Sequence, residues 1–381
     1  MVLIQRPERA FEGVQKYTHT FENEMNEPCF PKKHVGADRS ENVRKALRSW
    51  YLQHARPLPW RKEPSTYGTW LSEIMLQQTR VDTGIPKWHA FRETFPTVRD
   101  LAMATEDEVL KAWEGLGYYR RAKLLHRAAQ TIHASGRYPR SHKEWLEIPG
   151  VGPYTAAAIS SIALGEAVAA VDGNVQRVVA RWDAIDLAVD SKDGAKAIQC
   201  TADSWLDHDH PGDHNQAVME LGALICTPKK PQCGHCPISN TCASADNDDL
   251  HQSLPVKKPK KKAEAWALTM HVVVHGDKVA VVQRPETGIW ASLWALPETP
   301  PPSSFSRLGT LGHPVTHLLT HKRIEATFEG WQAASPEDLR DFARHIGGEV
   351  LDWDAFAGLA RPRLLTKAWE DLLRVLRQDQ M

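Results

Sequence analysis

The chain has 381 residues, with 42% hydrophobic and 25% charged side chains, a globular balance with room for two domains. Its formal net charge is +0, so a polyanionic partner would have to be held by local features rather than by a basic surface overall. The start, MVLIQRPERAFEG, meets charge before any apolar run forms, and the most apolar stretch, Thr155 to Val171, is broken by Glu166 and is too short for a bilayer. A cytoplasmic chain without a membrane partner is expected, in which clustered cysteines serve metal binding or catalysis rather than disulfides.

Residues 1–38 mix charge, proline and scattered aromatics without periodicity, the pattern of a poorly ordered extension. A helical domain is expected over 39–250. Trp70, Leu71, Ile74 and Met75 form one apolar face, Leu101, Val109, Leu110 and Trp113 a second, and Val175, Val178, Val179 and Trp182 a third. Residues 251–265 carry Lys257, Lys258, Lys260, Lys261 and Lys262 with two prolines, which suits either a solvated tether or a connector lying along phosphates. The period then changes. Leu268–His275 and Lys278–Gln283 are β-branched runs joined by Gly276-Asp277, a hairpin signal that opens a second, α+β domain over 266–381.

Cys226, Cys233, Cys236 and Cys242 fall in the spacing C-x6-C-x2-C-x5-C. A loop this short can wrap four thiolates around one centre. The residues leave an iron–sulfur cubane, a zinc ion and plain thiols open; a single CxxC flanked by wider gaps favours the cubane over the paired knuckles of zinc sites. Lys229 and Lys230 lie in the first gap, where a metal-held loop would turn them toward phosphate. Cys29 and Cys200 stand apart and read as ordinary unpaired thiols.

Residues 145–160 place Pro149-Gly150-Val151-Gly152 between two helical patterns. Two glycines allow a tight turn whose N–H groups, at the start of the second helix, suit a phosphate oxygen, while Val151 pins the turn to the core. A generic helix–turn–helix corner remains the plainer alternative for this segment alone.

A helix–hairpin–helix followed by a four-cysteine loop resembles the endonuclease III superfamily of DNA glycosylases. Within it, Leu71-Ser-Glu-Ile-Met-Leu-Gln-Gln-Thr-Arg-Val and Gly115-Leu-Gly-Tyr-Tyr-Arg-Arg-Ala resemble the MutY-type adenine glycosylases, with similarity running from about Arg56 to Cys242 and more weakly over 266–330. The resemblance implies a 4Fe-4S cluster on the four cysteines and base excision of adenine opposite 8-oxoguanine or guanine in duplex DNA. It also implies a monomeric, nucleoid-associated protein of bacterial type.

Breaking an N-glycosidic bond requires a proton for the departing base and help for a cationic sugar, work that two carboxylates in unlike surroundings can share. Glu73, beside Leu76 on a helix, is the expected acid, protonating adenine at N7. Asp172, just before the third helix, is expected to be held ionised by helix N–H donors and to stabilise the sugar cation, with Asn174 orienting the site. Bifunctional relatives carry a lysine just after the hairpin; here the matching residue is Tyr154, which cannot form an imine, so base removal without strand cleavage is expected, with Tyr154 positioning Asp172 or the sugar.

By the same resemblance, Gln78 and Tyr118 enter the helix near the opposing lesion, and Arg56, Leu58, Trp60, Arg61, Leu76 and Gln216 line the adenine pocket. Arg284-Pro-Glu-Thr-Gly-Ile-Trp-Ala-Ser-Leu-Trp resembles the entry of Nudix-like domains, but the glutamate-rich helix that holds magnesium is replaced by Thr-Pro-Pro-Pro-Ser-Ser-Phe after Glu298. Recognition without hydrolysis is therefore expected. Leu319-Thr320-His321 is the match to the family's Phe-Ser-His lesion-reading loop, departing from it at two of three positions; Thr320 and His321 are the expected readers. A pyrimidine-lesion glycosylase/lyase of the endonuclease III type and a non-catalytic iron–sulfur DNA-binding protein are the competing readings.

Overall fold

A computed structural model describes residues 37–245, 247–259 and 262–378, so most of the expected N-terminal extension, with Cys29, and two linker lysines, Lys260 and Lys261, lie outside the described residues. The chain divides into two compact units: one joins the segment through Ala55 to Ala167–Lys258, the other joins Arg56–Glu166 to the segment from Pro259 onward. The helical region expected as one domain thus contributes to both.

In the first unit, helices Ala37–His54, Gly173–Trp182, Lys192–Trp205 and Pro211–Leu224 pack around Leu47, Val179, Trp182, Trp205 and Leu221. Trp182 and Trp205 meet edge to face with ring centroids 4.4 Å apart. The Val175, Val178, Val179, Trp182 face is buried as its period requires. Cys200, on the helix Lys192–Trp205, is disulfide-bonded and not the unpaired thiol that its isolation in sequence suggested.

In the second unit, Trp70, Leu71, Ile74 and Met75 on helix Thr66–Leu76 are all buried. The apolar face of Leu101 to Trp113 belongs to two helices, Val98–Met103 and Glu106–Ala112. The break is a cap: Thr105 accepts from the Glu108 N–H while the Glu108 carboxylate takes the Thr105 N–H at 2.7 Å, a reciprocal box that starts a new helix. Helix Arg120–Ser135 lies beyond. The hairpin Ile148–Gly152 then leads into helix Pro153–Leu164, which packs on helix Thr66–Leu76.

The C-terminal part of this unit is a seven-stranded mixed sheet. Strands β1 (Glu264–His275) and β2 (Lys278–Gln283) form the expected hairpin, turning at Gly276 with a left-handed φ of 60°. After β3 (Trp294–Ala295) and β4 (Ser306–Thr310) come β5 (Val315–Leu318) and β6 (Lys322–Gln332), antiparallel partners, with β6 also running parallel to β1 from Glu264↔Lys322 to Val274↔Gln332. β7 (Glu349–Asp352) pairs with β2, and helix Arg363–Gln378 follows. Between β3 and β4 the chain runs as loop. Leu293 and Ala360 of this part join the helical core of the same unit.

Candidate active site and cysteine loop

Ser65 caps helix Thr66–Leu76 through the Gly68 N–H, and the helix turns its apolar face inward and Glu73 to a half-buried flank. Tyr154, in the first turn of helix Pro153–Leu164, donates its hydroxyl to Glu73 Oε2 at 2.6 Å. The packing of those two helices gives the phenol Glu73 as a partner, in addition to the Asp172 or sugar contact expected for it. An O–H donated to a carboxyl at this distance fixes the acid's orientation.

Asp172 is the N-cap of helix Gly173–Trp182. Its Oδ1 takes the Val175 N–H at 2.7 Å and the Asn174 N–H at 2.9 Å, and its Oδ2 takes the Asn174 side-chain amide at 2.9 Å. Burial nevertheless pushes this carboxyl above the usual aspartate range; the Val175 N–H, the two Asn174 donors and the Arg177 charge pull against it without winning. The donors do not dominate as the cap position alone suggested, because the side chain is only half open to water.

Arg177 extends this arrangement in a direction the sequence did not signal. Its Nη2 donates to Asn174 Oδ1 at 3.0 Å and to the Gly222 carbonyl at 2.7 Å, and its Nε donates to the Cys226 carbonyl at 2.7 Å. One turn on, the buried Arg181 reaches Cys226 Sγ at 3.5 Å and the carbonyls of Thr227, Pro228, Leu254 and His251. The i, i+4 spacing of the two arginines sets them on one helix face but does not mark the carbonyls they reach.

Cys226, Cys233, Cys236 and Cys242 are all free thiols, and together with Arg181 and His251 they line one cavity. Among the described residues no group of three or more Cys, His, Asp or Glu is gathered closely enough for a single ion. Four thiols lining one cavity suit a polynuclear cluster. Lys229 and Lys230 are exposed on the loop's outer side.

In the hairpin, Gly150 is left-handed at φ 78°, and a Cβ there would meet Leu124 Cβ at 2.6 Å; Gly152 is extended. Only Gly150 therefore demands glycine on conformational grounds. The Val151 N–H is spent on the Ile148 carbonyl and its side chain is buried, while Gly150 and Gly152 are exposed and Pro149 is half-buried.

Leu58 and Trp60 are buried in the core, Trp60 edge-on to Trp88 at 5.9 Å, so Trp60 is a packing residue in this structure. Arg61 donates to the Arg56 carbonyl at 3.2 Å, and Leu76 is half-buried at the end of the Glu73 helix. Gln216 lies on helix Pro211–Leu224 in the other unit, with its amide 3.3 Å from the Gly212 carbonyl.

Gln78 and Tyr118 both hold left-handed backbones, at φ 57° and 48°, and both are exposed. Leu319-Thr320-His321 is the turn between β5 and β6, and Thr320 Oγ1 lies 3.1 Å from the Tyr118 hydroxyl. The structure thus brings together two residues 202 positions apart that the sequence assigned separately to the lesion.

A family model described as HhH-GPD superfamily base excision DNA repair protein matches residues 71–200, one for the iron–sulfur binding domain of endonuclease III matches 226–242, and one for a NUDIX domain matches 269–371. The adenine DNA glycosylase of Homo sapiens is 34% identical over 309 residues, covering 67% of this chain and 57% of that protein. The adenine DNA glycosylase of Rattus norvegicus is 31% identical over 403 residues, covering 86% of this chain and 77% of that one. The chain belongs to the adenine DNA glycosylase family. It spans less than two thirds of the human member's length. Among solved structures, a thermostable thymine-DNA glycosylase matches at 27% identity and a TM-score of 0.50, over 55% of this chain and 97% of that one. As in the family model, the loop Cys226–Cys242 holds a 4Fe-4S cluster.

Proposed function

We propose that this family member is a monofunctional adenine DNA glycosylase that removes adenine opposite 8-oxoguanine or guanine from duplex DNA, acting as a monomer in the cytoplasm. The observation that carries the reading is the 2.6 Å hydrogen bond from Tyr154 to Glu73. The residue just after the hairpin is a phenol committed to the acid, not an amine poised to attack C1′ of the sugar.

In this reading Glu73 gives its proton to N7 of an extruded adenine as the glycosidic bond lengthens. Asp172 lends its negative charge to the oxocarbenium-like sugar, held in aim by Asn174 and Arg177. Gln216 and the Arg56–Arg61 segment hold the base. Gly150, Gly152, Lys229 and Lys230 hold phosphates. Tyr118, Gln78, Thr320 and His321 face the opposing base. The 4Fe-4S cluster, when bound, supplies a cross-link for the loop and a one-electron couple.

The test is adenine release from duplexes that differ only in the base opposite adenine, run beside borohydride trapping. Release opposite 8-oxoguanine and guanine but not thymine, without a covalent trap, is the expected result. Efficient trapping, or release of an oxidised pyrimidine in place of adenine, would transfer the reading to the lyase class.

A further inference from the structure

Arg121 is a half-buried cation that the proposed chemistry does not use. It follows the Gly115-Leu-Gly-Tyr-Tyr segment at the start of helix Arg120–Ser135, and its guanidinium gathers three separate pieces of chain. Nη1 donates to the Ile74 carbonyl at 2.7 Å and the Met75 carbonyl at 3.0 Å, two of the orphan acceptors that end the Glu73 helix. Nη2 donates to the Leu116 carbonyl at 3.1 Å and the Gly117 carbonyl at 3.2 Å, and reaches Thr79 Oγ1 at 3.4 Å. The plane of the group lies over the Trp113 ring at 5.2 Å and over the Tyr118 ring at 5.8 Å.

Among the described residues no carboxylate pairs with it; burial pulls the guanidinium down to about 10, opposed by the Tyr118 phenol, so it stays charged at neutral pH. A half-buried cation without an ion-pair partner among the described residues is a poor stabiliser, since apolar packing fills such a site at lower cost. Its geometry is what a substitute would lack. A planar fork can serve two carbonyl pairs on opposite sides at once, whereas an ammonium group is a point. The segments it joins also need holding. Gln78 and Tyr118 are non-glycine residues at φ 57° and 48°, strained conformations that persist only where the surroundings enforce them.

We propose that Arg121 is a positioning residue for discrimination of the opposing base: it locks the turns that carry Tyr118 and Gln78 to the end of the helix that carries Glu73. This rests on the glycosylase reading above. Through Tyr118 the same lock sets the partner of Thr320, so reading of the opposing base and placement of the acid share one rigid joint.

The test uses the full chain with its cluster in three variants, Arg121→Met, Arg121→Lys and Thr79→Val. Hydrogen–deuterium exchange on the free protein reads the lock without any reaction. In Arg121→Met, amides of 74–80 and of 115–120 should both exchange about tenfold faster, with helix Pro153–Leu164 unchanged. Single-turnover adenine release reads its consequence. The rate ratio between 8-oxoguanine and guanine duplexes should fall about fivefold or more in Arg121→Met, part-way in Arg121→Lys and about twofold in Thr79→Val.

Faster exchange in only one of the two segments, or an unchanged ratio, overturns the proposal; should Arg121→Met not fold, the other two variants decide by the same criteria. Wild-type protein that releases no adenine from either duplex would sink the glycosylase reading instead, and the exchange data would still show whether Arg121 joins the two turns.

Discussion

Glu73 and Asp172 are both half-buried carboxylates, and their surroundings treat them in opposite ways. Glu73 stands on the flank of a helix and takes the Tyr154 hydroxyl from a neighbouring helix. Asp172 stands at a helix start, with three N–H donors on its two oxygens and an arginine behind them that is itself tied to the cysteine loop. In the proposed reading the first arrangement orients the acid that gives the proton. The second holds a carboxylate in one position against burial that favours its neutral form. Unlike surroundings, more than the residue types, separate the two roles.

The largest effects should come from neutralising either group. Glu73→Gln keeps an acceptor for Tyr154 but has no proton to give, so single-turnover adenine release should fall about 10²–10⁴-fold with duplex affinity retained. Full activity in that variant would leave the acid without a role. Asp172→Asn sharpens the contrast. Asparagine caps a helix as well as aspartate does, so melting temperature should stay within about 2 °C while the rate falls about 10²–10³-fold. Loss of stability with the rate preserved would mean that Asp172 is a cap and nothing more.

Arg177→Met should act more mildly and on one side of the comparison only. It removes a charge and the brace on Asn174, leaving burial less opposed. The Asp172 carboxyl should then titrate higher still. Because activity requires its ionised form, the acid limb of the pH–rate profile should move to higher pH, with the rate at neutral pH falling about tenfold. Visible absorbance of the cluster should fall as well, since the Cys226 carbonyl loses its donor. An unshifted limb would uncouple the loop from Asp172. The smallest change belongs to Thr320→Ala, which deletes one exposed hydrogen bond to Tyr118 and should lower the preference for 8-oxoguanine over guanine about two- to tenfold at unchanged guanine rate.

The parts legible in the sequence were contiguous ones. The helix of Trp70 to Met75, the cysteine spacing, the Gly150 turn and the β1–β2 hairpin each carry their signal within one short contiguous stretch. What escaped was assembled over distance. Arg121, Arg177 and Arg181 work mainly by donating to backbone carbonyls, which have no residue type to match and leave no period. The Tyr118–Thr320 contact joins a loop to a hairpin turn far along the chain. The division into two units also cuts across the helical period, because the segment from Arg56 to Glu166 shares its core with Leu293 and Ala360. Thr105 shows the reverse: a capping box was present in the sequence, and the apolar face spanning it concealed the break.

The claim beneath all of this is that Glu73 puts a proton on the departing base. Replacing adenine by 7-deazaadenine opposite 8-oxoguanine exchanges N7 for C–H and leaves the Watson–Crick edge intact. The account predicts that the wild-type protein binds this duplex and releases no base from it on the timescale of adenine release. Release at a comparable rate would contradict it.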